Sequence, residues 1–282
     1  MMFNDVVKNG ESPDIGLDKD RLKQMHLPNV KVLMYHQVSD RVDICKKFWI
    51  CVHTTTFEEH LVLLKKKGYV SITFKDHLLA LQGKKELPPK SVIITFDDGY
   101  EDVYTHAYPL LKKHGMKAVI FVLGNRKIKT NIWDEYLNYP VFNLLNDDQI
   151  REMHENGIEI GTHSVNHKNL TDLSDGLLWN EIYESKQRVE DLISSSVITF
   201  SYPYGAINDY VKEKVKEAEY HYACSVSKGK PFNINNPFEI VRIPILNITN
   251  NLFMKLRLMT PFEYYISLRN EINSTFFKRN SK

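Results

Sequence analysis

The chain has 282 residues, 43% of them hydrophobic and 26% charged, which suits a globular protein with a core large enough to need no disulfide or metal staple. A formal net charge of +2 is too small a bias to point to nucleic acid. No window of about 18 apolar residues reads as a membrane span, and the N-terminus lacks the basic and apolar regions of a signal peptide. These features together place the protein in the cytoplasm by expectation, in contact with a membrane at most through its tail.

Residues 1 to 30 are polar and aperiodic and read as a leader. Lys31–Tyr35 (KVLMY) is a short apolar run that predicts a buried strand ending at His36. Residues 39 to 56 read as a long loop. Cys45 and Cys51 fall within it and are either a pair for an oxidising compartment or, with Cys224, reduced thiols, since the three show no metal-finger spacing. Phe57–Lys67 has apolar residues at helical spacing and is closed by Gly68. Tyr69–Phe74 reads as a strand followed by a helix to Leu81. Ser91–Phe96 (SVIITF) reads as a second buried strand.

The alternation continues. Helices are predicted over Tyr104–His114, Asp147–Asn156, Leu177–Leu192 and Asp209–Ala218. Strands are predicted over Lys117–Val122, from Ile158, over Val197–Tyr202, His221–Ser225 and Phe238–Ile245. The strands are continuous apolar runs, as in a parallel sheet covered by helices. Seven or eight such units in about 215 residues predict an α/β fold, a closed or nearly closed (β/α) barrel. The tail 251–282 mixes apolar and basic residues. It reads either as an amphipathic helix at a membrane surface or as a segment packed on its own domain.

Four predicted strands end in groups capable of chemistry. These are His36, the pair Asp97-Asp98 before Gly99, His163 with His167, and Pro203-Tyr204-Gly205. In a parallel barrel such ends share one face. Adjacent carboxylates at the end of a buried strand repel and lose hydration, and a cation would relieve both. Taken alone, DDG is equally a helix N-cap. His163 and His167, four apart, fall on one face of a helical turn and can grip one ion; a lone pair at that spacing is more often superficial. Two imidazoles and a carboxylate leave coordination positions open, the pattern of a catalytic centre, with zinc, cobalt or nickel all compatible. Tyr100, Trp133 and Tyr204 are aromatic surfaces on which a sugar could stack.

TFDDGY (Thr95–Tyr100), HSVNH (His163–His167) and FSYPYG (Phe200–Gly205) resemble, in order, the first three motifs of the polysaccharide deacetylases, the NodB-homology family. LMYHQV (Leu33–Val38) ahead of them resembles the permuted subgroup of biofilm poly-N-acetylglucosamine deacetylases. The resemblance implies a distorted barrel of about seven parallel strands over residues 31–250. It implies a divalent ion, zinc by expectation, on Asp98, His163 and His167, with Asp97 as general base and His36 as general acid. The Tyr204 backbone N–H would hold the oxyanion. The substrate would be an N-acetylated sugar or polysaccharide. The third motif lacks the arginine that orients the base, and Arg242 is the substitute unless it makes an ordinary surface ion pair. The competing readings are a hydrolase of another small amide or formyl group on the same barrel, and a non-catalytic glycan-binding barrel.

Overall fold

A computed structural model describes residues 30–137, 140–226 and 236–260. The leader up to residue 29 and the tail beyond residue 260 lie outside the described residues. The strands run β1 Lys31–Tyr35, β2 Gln37–Ser39, β3 Cys51–His53, β4 Val70–Ser71, β5 Ser91–Phe96, β6 Val119–Val122, β7 Glu159–Thr162, β8 Thr199–Ser201, β9 Tyr222–Ser225, β10 Ile240–Val241 and β11 Ile243–Pro244. Helices α1 Val42–Lys47, α2 Thr54–Lys66, α3 Phe74–Leu81, α4 Tyr108–His114, α5 Asp147–Glu155, α6 Asp175–Ile193, α7 Asp209–Glu217 and α8 Asn251–Met259 fill the intervals.

All ladders are parallel, and the main sheet has the order β10-β9-β8-β7-β6-β5-β1-β11, with β4 added beside β5. The two terminal strands are consecutive in sequence. Ile240 and Val241 pair with β9, Ile243 pairs with β1, and Arg242 alone separates them. Phe238–Ile245 is therefore not one strand, as predicted, but two short ones on opposite edges. Together they bring the sheet nearly round into a barrel. Counted as one stave with β1 and β5 to β9, they give the seven expected.

Strand parity sorts side chains between two cores. Leu33, Tyr35, Val92, Ile94, Phe96, Ile120 and Val122 face outward into a cluster with the helices. Helix α2 buries Phe57, His60, Leu61 and Leu64 at a spacing of three and four, and each large apolar side chain so buried is worth about 1.5–3 kcal/mol. Val32, Ile93, Val119, Phe121, Tyr222, Cys224 and Ile240 form the second, interior cluster. Along β5 the inward parity continues from Ile93 through Thr95 to Asp97.

The predicted loop 39–56 instead holds the end of β2, all of α1 and β3 and the start of α2, and β2 and β3 form an accessory pair with Gln37 opposite Cys51. Its elements are too short to carry a periodic signal. Cys45, Cys51 and Cys224 are free, buried thiols. The predicted strand Tyr69–Phe74 shrinks to two residues because Thr73 caps α3 in a reciprocal box with Asp76. Of the tail, α8 packs on its own barrel. Met254 and Leu258 are buried, and the Tyr69 hydroxyl donates to the Leu258 carbonyl at 3.3 Å. The membrane-surface reading finds no support in this segment. Among the described residues no helix is long and apolar enough to cross a membrane.

Candidate metal centre

The predicted groups meet at the mouth where the strands end. Beyond β5 the backbone turns sharply, with φ of 70° at Asp98 and 69° at Gly99. Asp98 is a non-glycine residue in the left-handed region, a strained placement of the sort concentrated at functional sites. Gly99 relieves the next step, where a Cβ would also lie 3.2 Å from Val122 Cγ1. The Asp98 carboxylate is thereby swung over the barrel mouth.

His163 follows β7, and its N–H donates to the Val122 carbonyl at 2.8 Å. The segment after it is not the helical turn that the spacing suggested. Ser164 and His167 have φ of 61° and 57°, and the His167 N–H donates to Ser164 Oγ at 3.0 Å. This tight turn brings the imidazoles to 4.9 Å between centroids. Nε2 of His163 and of His167 lie 3.3 and 3.2 Å from Asp98 Oδ1. Donors about 2.1 Å from a common ion in tetrahedral directions stand roughly 3.4 Å apart, so this spacing fits one divalent cation. All three side chains are buried, and all three donor atoms lie within 4.8 Å of one another.

The electrostatics agree. Burial pushes the Asp98 carboxyl up, but hydrogen bonds from His163 and His167 and nearby positive charge outweigh it and hold the group well below the ordinary range. The His163 Nδ1–H donates to the Ser201 carbonyl at 2.7 Å, which fixes the tautomer and leaves Nε2 as the donor atom for an ion.

Asp97 has a separate environment. Its Oδ1 and Oδ2 each accept from Arg242 at 2.6 Å, a bidentate pair, and Ser201 Oγ donates to Oδ2 at 3.3 Å. Arg242 also donates to Thr95 Oγ1 and Ser201 Oγ, both at 3.1 Å, and its side chain is 0% exposed. The surface ion pair considered for Arg242 is thus excluded. Burial raises the Asp97 carboxyl, yet the Arg242 charge and hydrogen bonds hold it below the ordinary value. Thr95 and Ser201 were visible only as motif neighbours. Their inward parity is what adds them.

His36, at the end of β1, is half-buried, and its charge acts on both Asp97 and Asp98. Tyr204 sits in the turn Pro203–Gly205 with φ of 59°, and its ring stands edge-on to His167 at 4.7 Å. Of the three aromatics considered for sugar stacking, Tyr204 is half-exposed, but Tyr100 is 1% exposed and cannot touch a sugar. The Tyr100 hydroxyl donates to Asp134 Oδ2 at 3.1 Å. Trp133 stacks on His167, with centroids 4.3 Å apart and planes at 20°. Around it, only Trp133 itself was marked in sequence; Asn131 and Asp134 carry no such signal. A cavity of about 190 Å³ lined by Thr73, Asp76, Lys117, His154 and Glu159 lies at the other end of the barrel, where strands begin. Its Asp76 is engaged by Lys85 and Lys117.

A family model for polysaccharide deacetylases matches residues 84–223. YxkH of Bacillus subtilis (strain 168), a protein named for that family, is 30% identical over 216 residues, covering 76% of this chain and 70% of its own. The poly-beta-1,6-N-acetyl-D-glucosamine N-deacetylase of Staphylococcus aureus (strain MSSA476) is 28% identical over 203 residues, 69% of this chain and 67% of that one. Among solved structures, the Streptococcus pyogenes deacetylase PplD in complex with acetate superposes with a TM-score of 0.70 at 25% identity, over 82% of this chain and 98% of that one. IcaB from Ammonifex degensii shares the fold, with a TM-score of 0.62 at 22% identity over 78% and 92% of the two chains.

Proposed function

The chain belongs to the polysaccharide deacetylase family, and from that premise we propose that it is a metal-dependent hydrolase removing N-acetyl groups from an amino sugar in a polysaccharide or glycan precursor. The observation that carries the reading is the convergence of Asp98, His163 and His167 donor atoms within one ligand shell. Zinc is the expected ion, and cobalt or nickel suit the same donors. A divalent cation bound there supplies positive charge that acidifies a water and polarises an amide carbonyl.

The chain's own groups do the rest. Asp97 accepts the proton of the attacking water, held in orientation by the Arg242 fork. The oxyanion that develops on the acetyl carbonyl oxygen accepts a hydrogen bond from the Tyr204 backbone N–H. His36 gives a proton to the departing amine nitrogen, and acetate and a free amino sugar leave. The half-exposed Tyr204 ring offers a platform for a sugar face. The substrate named in the staphylococcal relative, a β-1,6-linked N-acetylglucosamine polymer, is the first to try. We take residues 31–250 with the packed helix α8 as the catalytic domain.

Metal analysis followed by acetate release tests the reading. Oligomers of N-acetylglucosamine are compared with allantoin-like and formylated substrates. Acetate from the oligomers, abolished by a chelator and restored by zinc or cobalt, is the expected result. A metal-loaded protein that hydrolyses only the other amides, or none, would overturn the substrate assignment.

A further inference from the structure

The two candidate ligand histidines are oriented by different means. A metal-binding imidazole ordinarily donates its second ring N–H to a carbonyl, carboxylate or water, which fixes both tautomer and ring plane. His163 follows this rule through the Ser201 carbonyl. His167 does not: its Nδ1 is buried and meets no hydrogen-bond partner among the described residues. What touches the ring instead is aromatic. Trp133 lies flat against it at 4.3 Å, and the Tyr204 edge closes at 4.7 Å.

We propose that Trp133 and Tyr204 form an aromatic clamp that sets the plane of the His167 imidazole, so that Trp133 is a positioning residue for the cation site. The inference deepens the metal-site reading above and rests on it. A stacked partner restricts tilt and an edge-on partner restricts slide, so the two contacts together define the ring with no polar bond at Nδ1.

The clamp is itself held. Trp133 belongs to the turn Ile132–Leu137 in the crossover from β6 to β7. The Asn131 side chain accepts from the Phe142 N–H at 2.7 Å, and the Asp134 N–H donates to the Asn131 carbonyl at 3.0 Å. The Tyr100 hydroxyl ties Asp134 back to the residue that follows the DDG turn. The crossover is thereby pinned to the same backbone that presents Asp98, and Trp133 inherits that position.

The test is metal binding by the full chain, stripped with a chelator and titrated with zinc in competition with a chromogenic chelator. A parallel titration with cobalt reports ligand geometry through its visible spectrum. Trp133→Leu and Tyr204→Ala should each weaken zinc about tenfold or more and alter the cobalt spectrum. Trp133→Phe keeps a flat ring and should stay within about threefold of the parent. A merely structural role would not separate Phe from Leu in this way. Should circular dichroism show that Trp133→Leu does not fold, Tyr204→Ala decides, because its side chain is half-exposed. Parent-like affinity and spectrum in the folded variants overturn the clamp, as does a parent that binds neither metal. A parent that binds both metals and releases no acetate overturns the proposed reaction while leaving the clamp testable.

Discussion

Asp97 sits beside a cation site yet spends both oxygens on Arg242. The fork fixes the carboxylate's direction and keeps it ionised, two needs of the general base proposed above. Asp97→Asn should bind zinc like the parent while turnover falls roughly 10²–10⁴-fold, read from acetate release at saturating substrate. Full activity in that variant would remove the base assignment. Arg242→Met leaves a buried carboxylate uncompensated and should cost about 3–5 kcal/mol in urea denaturation. The Asp97-Asp98 pair and both histidines were legible because polar residues at the ends of apolar runs stand out. The partnership with Arg242 was only a candidate, since nothing in a sequence tells a buried guanidinium from an exposed one.

At the level of elements, the turn Pro203–Gly205 carries the most constraint in the fewest residues. Gly205 has φ of 64°, and an added Cβ would clash with Val226 Cγ2 and lie 2.9 Å from the Val226 nitrogen. Gly205→Ala should lower stability by about 1–3 kcal/mol in thermal denaturation. It should also depress turnover, because the neighbouring Tyr204 N–H shifts. The long strands and helices were readable from period alone, as β5 and α2 show. The accessory β2, α1 and β3 were not, because elements of three to six residues fix no period. The break between β10 and β11 was equally hidden. A run such as EIVRIPI looks continuous whether it serves one sheet edge or two.

For the molecule as a whole, two solution properties follow. Asp97 is held below its ordinary value of 3.8, so the unfolded chain takes up its proton first as acidity rises. Its stabilising share is complete above that value and is lost as the pH falls through the lower folded one. The urea midpoint should therefore decline below about pH 4, and less so in Asp97→Asn. Metal acts in the opposite sense by mass action. Zinc at a hundred times its dissociation constant should raise stability by about 2.7 kcal/mol, and His163→Ala should show no such gain. The barrel was legible from alternating elements. Its near-closure was not, because that depends on pairing between distant edges.

The residue that joins the two edges, Arg242, is 145 positions from its partner Asp97. During synthesis the six preceding staves emerge first and present the Asp97 carboxylate without its Arg242 partner. Contacts of such sequence separation form late and slowly. The same late segment therefore both latches the cylinder and orients the proposed proton acceptor, so that a nascent chain lacking it would have neither a sealed wall nor an oriented Asp97 carboxylate.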